Sequence, residues 1–148
     1  MEQDIQHGAL LQVENLKVHF KLKRDSWFSE QSVVHAVDGV NFSINKGKTL
    51  GLVGESGCGK TTTGRAILGL VNVNEGKLLF ENRDLRSLSP QEMLNLRKRM
   101  QIIFQDPYSS LNPRQTAGDI VLDPLVVHDI GNERERQTRV DELFSLVG

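Results

Sequence analysis

Apolar and polar positions alternate near the start of the chain. Between Leu11 and Phe20, the residues Leu16, Val18 and Phe20 alternate with polar neighbours, which is the two-residue period of a half-buried strand. Val33 to Ile44 shows the same period at Val40, Phe42 and Ile44, and Asn45-Lys46-Gly47 closes it with turn chemistry. The intervening residues 21–31 (KLKRDSWFSEQ) read as a loop, and residues 1–9 as a polar end that frays. Thr49 to Val53 differs, because it is a short continuous apolar run of the kind found in strands buried on both faces. The opening is therefore expected to be antiparallel strands feeding one core strand.

Helical periods follow. Gly59 to about Val71 places Ala66, Ile67 and Leu70 on one face. Lys77 to Phe80 reads as another strand. Ser89 and Glu92 have the spacing of a capping box, with Pro90 at the first helical position and Leu96-Arg97-Lys98-Arg99 at the far end, where cations suit the helix dipole. Gln101 to Phe104 is again a short apolar strand pattern. The stretch from Gln105 to Arg114 (QDPYSSLNPR) is excluded from helix and central strand by Pro107 and Pro113. Ala117 to His128 is helix-like, bent or broken at Pro124. Asn132 with Glu135 predicts the cap of a last helix, in which Val140, Leu143, Phe144 and Val147 share a face.

Composition narrows the function classes. A chain of 148 residues is expected to form one domain with a real core. Eighteen Lys and Arg against 19 Asp and Glu give a net charge of −1, which argues against general binding of nucleic acid or anionic membranes. No apolar run is long enough for a transmembrane helix, and the first thirty residues lack the pattern of a secretory leader. The single cysteine, Cys58, excludes an internal disulfide and suits a reducing compartment.

The glycines carry the chemistry. Gly54-Glu55-Ser56-Gly57-Cys58-Gly59-Lys60-Thr61 matches G-x-x-x-x-G-K-[ST] at every fixed position, between an expected strand and an expected helix. Glycines let backbone N–H groups converge on phosphate oxygens, and the helix N-terminus adds partial positive charge. Lys60 is expected to reach the β- and γ-phosphates of a nucleotide, and the Thr61 hydroxyl to ligate Mg²⁺. Cys58 stands at a helix N-terminus, where a thiol can be reactive, but nothing else in the sequence points to thiol chemistry.

A phosphate loop alone does not separate kinases, GTPases and transport ATPases. The phrases AVDGV, GESGCGKTT, GRAILGL and FQDPYSSLNPR, followed by Asp123-Pro124-Leu125, are together specific. From about Leu11 to Gly148 the chain resembles ABC-type ATPase subunits, in the branch that imports oligopeptides, dipeptides and related small cargo. The resemblance implies an α/β P-loop NTPase fold: an antiparallel β subdomain, part of a RecA-like core and the start of a helical subdomain. It implies that Gly54, Glu55, Ser56, Gly57, Cys58, Gly59, Lys60, Thr61 and Thr62 hold ATP, with Thr61 on Mg²⁺. Gln105 matches the Q-loop glutamine, which contacts Mg²⁺ and the surroundings of the attacking water. Asp106 to Arg114 match the segment that faces the membrane subunit. Phe20 aligns with the aromatic that stacks on adenine, with Trp27 or Phe28 as alternatives across the 21–31 loop.

The family's signature motif, Walker B Asp-Glu pair and switch histidine find no match between residues 114 and 148. Asp141-Glu142 reads as a solvated helix face, and His128 falls too early to be the switch residue. The expectation is a nucleotide-binding domain, residues 1–148, truncated before those elements. Alone it is expected to be inactive, and its Leu50–Val53 and Gln101–Phe104 strands are expected to keep unpaired edges. The resemblance further implies permease subunits as partners through the Q-loop region, a second ATP-binding subunit, and indirectly a substrate-binding protein. It implies a peripheral position on the cytoplasmic face of the cell membrane, and no nucleic-acid partner. Two other readings stay open: a non-transport P-loop ATPase or kinase, and a catalytically defective nucleotide-binding fragment.

Overall fold

The computed structural model describes residues 9–22, 31–106 and 110–148. The chain divides into two compact units, Met1–Met93 and Leu94–Gly148.

The first unit is built on one antiparallel sheet. Strands β1 (Leu11–Lys21), β2 (Val33–Ile44), β3 (Glu75–Phe80) and β4 (Arg83–Asp84) lie in the order β2-β1-β3-β4. The alternation in the sequence sets which side chains are buried: Leu16 and Val18 are 0% exposed, and Leu11, Val13, Leu78 and Phe80 join them. Each such side chain contributes about 1.5–3 kcal/mol through burial. Leu11 and Val13 stand at odd spacing from Leu16 and Val18, yet both pairs reach the core. The strand achieves this by an irregularity between Val13 and Leu16, where Asn15 takes φ 47°. The Asn15 amide donates to Asn41 Oδ1 at 2.7 Å, so the disrupted ladder stays hydrogen-bonded.

Helix α1 (Lys60–Ile67) follows the phosphate loop, and its Ala66 and Thr63 are buried. It is shorter than the periodicity predicts. The amides of Gly69 and Leu70 bond back to Ala66 and Arg65 carbonyls in a closing turn, and Leu70 is left half exposed. Helix α2 (Pro90–Arg97) begins as predicted: the amide and hydroxyl of Ser89 donate to Glu92, and the Glu92 amide donates back to Ser89 Oγ.

The second unit holds, among its described residues, the end of α2 and two further helices. Helix α3 (Ala117–Val127) carries Pro124 inside it, and α4 (Glu133–Val147) starts at the predicted Asn132/Glu135 box. Thr116 and Asp119 form a further capping box that the sequence reading passed over, although Thr-x-x-Asp ahead of an apolar run signals it. The apolar stripe of α4 is only partly covered: Val140 is buried, whereas Phe144 and Val147 are exposed.

Two predicted strands are absent among the described residues. Leu50–Val53 and Gln101–Phe104 form no regular element and pair with no strand there. Val53 is 90% exposed, so the Thr49–Val53 run is not buried on both faces, and Ile103 is 94% exposed; that both runs stay unpaired among the described residues agrees with the open edges expected of them. The physical reason is that an apolar run becomes a strand only when a neighbour takes its N–H and C=O groups. Residues 1–8 and 107–109, and most of the 21–31 loop with Trp27 and Phe28, lie outside the described residues.

Candidate functional site

The loop from Gly54 to Gly59 is shaped by its own short contacts. The Cys58 amide donates to the Glu55 carbonyl at 3.3 Å, closing a turn. A Cβ at Gly54 would meet Cys58 Sγ at 2.6 Å, so no side chain fits there without displacing that thiol. Gly59 is more constrained. It takes φ 93° as the residue preceding α1, and a Cβ on it would stand 2.3 Å from the Ala36 carbonyl oxygen. The third glycine of the motif is therefore where the loop leans on β2. Ala36 was not singled out from the sequence, because a backbone oxygen leaves no trace in residue type.

No side chain caps α1, and its first turn holds no acidic residue. The leading amides of the helix, on Lys60, Thr61 and Thr62, have no intrahelical partner by construction. They and the macrodipole make an anion-binding end. Lys60 Nζ folds over the loop and donates to the Gly54 carbonyl at 2.8 Å and the Glu55 carbonyl at 2.7 Å, with Cys58 Sγ at 3.4 Å. Those contacts use the three donors of one ammonium. Thr61 is exposed and Thr62 half-buried. Thr63, unremarked in the sequence, is buried and donates its hydroxyl to the Gly59 carbonyl at 3.0 Å, which ties the helix start to the loop.

Phe20 lies near the end of β1 and is 41% exposed, so it is not the core residue that simple alternation suggests. It pairs in register with Val34, two residues along β2 from the Ala36 carbonyl that Gly59 abuts. Phe20 and the phosphate loop thus belong to the same stretch of the β1–β2 pair. Gln105 lies in the second unit, exposed, directly after the unpaired Gln101–Phe104 run. Of the segment expected to face a membrane subunit, Asp106 and residues 110–114 are described, and Pro107 to Ser109 are not. Asp141 and Glu142 are exposed on α4, and His128 follows α3.

Residues 37–148 match the family of ABC transporters. The chain belongs to the ABC transporter family. Among curated relatives, it is 42% identical over 141 residues to the oligopeptide transport ATP-binding protein AppF of Bacillus subtilis (strain 168), covering 95% of this chain and 43% of that protein. It is 45% identical to the oligopeptide transport ATP-binding protein OppF of the same organism, covering 94% of this chain and 44% of that protein. Among solved structures, a dimeric ATP-binding cassette in a post-hydrolysis state bound to ADP and Pi superposes with a TM-score of 0.70 at 27% identity. That match covers 89% of this chain and 54% of the cassette. The chain thus spans about half the length of the ABC proteins it matches. Its antiparallel sheet and helices are those of the N-terminal portion of an ABC ATPase. No helix among the described residues is long and apolar enough to cross a membrane.

Proposed function

We propose that this chain is the nucleotide-binding part of an ABC importer subunit that couples ATP binding and hydrolysis to uptake of peptides or related small cargo. The observation that carries the reading is the phosphate loop itself. Gly59 leaves no room for a side chain against the Ala36 carbonyl, the helix starts without a side-chain cap, and the lysine is held over the loop by backbone carbonyls. These features fit a triphosphate. Amides of the loop and of Lys60, Thr61 and Thr62 would bind phosphate oxygens, and Lys60 Nζ would exchange the Gly54 and Glu55 carbonyls for the β- and γ-phosphates. Gly54, Glu55, Ser56, Gly57, Cys58 and Gly59 form the cradle, and Phe20 stacks on adenine. Thr61 would hold Mg²⁺, which when bound neutralises charge on the phosphates, and Gln105 has the part of the Q-loop glutamine.

The transport role rests on the likeness to oligopeptide transport ATP-binding proteins. It carries the expected partners with it: permease subunits at the segment after Gln105, a second ATP-binding subunit, and indirectly a substrate-binding protein. The site of action is the cytoplasmic face of the membrane, peripherally, and residues 1–148 form part of one nucleotide-binding domain. Hydrolysis needs a general base near the γ-phosphate and a second anchor for the metal. Neither is among the residues assigned here, so the 148-residue chain binds Mg-ATP without turning it over.

The experiment is a titration of purified chain with Mg-ATP, followed by a phosphate-release assay. Binding without multiple turnovers, weakened at least tenfold by Lys60→Ala, is expected. Phe20→Ala should weaken it by about 1–3 kcal/mol, with Phe20→Tyr tolerated. Binding indifferent to Lys60→Ala would overturn the site, and a larger loss from Trp27→Ala would move the adenine contact into the 21–31 loop.

A further inference from the structure

The outer face of the β1–β2 pair carries a cluster that the phosphate site does not use. His19 and His35 stand opposite one another in the register, and Asp38 stands opposite Lys17. His35 and Asp38 are three positions apart in β2, so in a regular strand they would point to opposite faces. They share a face here because the strand slips by one residue between Val18 and His19: Val18 pairs with Val37, His19 with His35, and Ala36 is extra. A bulge of this kind re-aims side chains.

The two imidazole rings lie with centroids 4.0 Å apart and planes tilted by 40°. One ligand atom from each of His19, His35 and Asp38 lies within 4.8 Å of the other two. His19 Nε2 is buried and has no hydrogen-bond partner among the described residues. A buried ring nitrogen without a partner is costly unless something occupies it.

We propose that His19, His35 and Asp38 bind a divalent transition cation of the zinc class. Two imidazoles and one carboxylate form a donor set that zinc takes in tetrahedral sites, leaving a fourth position for water. Donors around tetrahedral zinc stand about 3.4 Å apart, given bonds of about 2.0–2.1 Å. The three atoms therefore close by roughly an ångström on binding, which the exposed side chains of His35 and Asp38 can supply by rotation. The cation that would compete for Asp38 is Lys17, and its ammonium donates instead to Glu75 at 2.8 Å. Imidazole nitrogens select against Mg²⁺, which prefers oxygen, so this site is chemically separate from the nucleotide's metal. Bound there, the cation would clip β1 to β2 close to Phe20.

The test uses the untagged 148-residue chain, stripped with chelator, loaded with Zn²⁺ and dialysed. Metal content and the visible spectrum of the Co²⁺ form are then measured. About one equivalent of zinc, with the intense visible bands of tetrahedral cobalt, is expected. Affinity should fall about tenfold or more in His35→Ala and in Asp38→Asn, and stay unchanged in Cys58→Ser. Both residues are exposed, so the stripped variants should melt like the stripped parent, which separates loss of ligation from loss of fold. Absence of stoichiometric zinc would overturn the proposal and leave a stacked histidine pair. Binding that survives His35→Ala, or is lost in Cys58→Ser, would also overturn it by placing the metal elsewhere.

Discussion

The antiparallel sheet and the two unpaired apolar runs are equally strand-like in sequence and unlike in structure. Leu16 and Val18 in β1 are 0% exposed, whereas Val53 and Ile103 are at 90% and 94%. Hydrophobicity does not separate them; the source of a partner does. β1 finds β2 across a single loop and β3 across the phosphate loop and α1, so its ladders close within the first unit. Leu50–Val53 and Gln101–Phe104 find no strand among the described residues. A run of valine, leucine and isoleucine therefore reports that a segment should be buried, while antiparallel pairing nearby determines whether it can be buried locally.

Truncating matched residues in the two regions gives the largest effect. Leu16→Ala should cost about 2–5 kcal/mol of unfolding free energy by opening a cavity in the sheet's core. Ile103→Ala should stay within about 0.5 kcal/mol, because its side chain is exposed. Denaturant unfolding of the two variants measures both. Equal losses would mean that the 101–104 run is packed in solution.

A smaller effect is expected where the sheet meets the loop. Gly59→Ala forces a Cβ against the Ala36 carbonyl and strains a φ of 93°. Mg-ATP affinity should drop about tenfold or more, with a stability loss of about 1–3 kcal/mol. Gly57→Ala meets no atom within 4 Å and should cost less stability, although its φ of 84° still carries strain. Equal stability losses for the two would show that the lean on β2 contributes nothing.

The smallest effect belongs to the helix caps. Ser89 hydrogen bonds, from the amide and then the hydroxyl, hold the Glu92 carboxyl below its ordinary 4.5, with Arg83 adding to this. Thr116, hydroxyl first, holds Asp119 below its ordinary 3.8. Carboxyls with lowered folded-state values stabilise fully above their unfolded-state values and lose that contribution as pH falls through the folded ones. Helix content followed by circular dichroism should therefore begin to fall below about pH 4.5, with Glu92→Gln and Asp119→Asn flattening the profile. A profile unchanged by both substitutions would remove the caps as its cause.

How much was legible in advance follows the same division. Local signals were readable: the alternation of β1 and β2, the Ser89/Glu92 and Asn132/Glu135 boxes, and a helix starting directly after the Gly54–Gly59 loop. Features that depend on another segment were not. The Ala36 carbonyl behind Gly59 is backbone, and the slip that unites His35 with Asp38 is a matter of register, so neither is written in residue types. The open, unpaired state of Leu50–Val53 and Gln101–Phe104 was expected from the sequence, whereas their failure to form strands was not.

Hydrogen exchange along the whole chain, with and without Mg-ATP, tests the central claim most directly: a locally paired sheet presenting a formed phosphate site. Slow exchange is expected across β1 and its pairs with β2 and β3, and fast exchange at 50–53 and 102–104. Mg-ATP should add protection concentrated from Gly57 to Thr63. Slow exchange at 50–53 without nucleotide, or nucleotide-induced protection that leaves Gly57–Thr63 unchanged, would contradict the account.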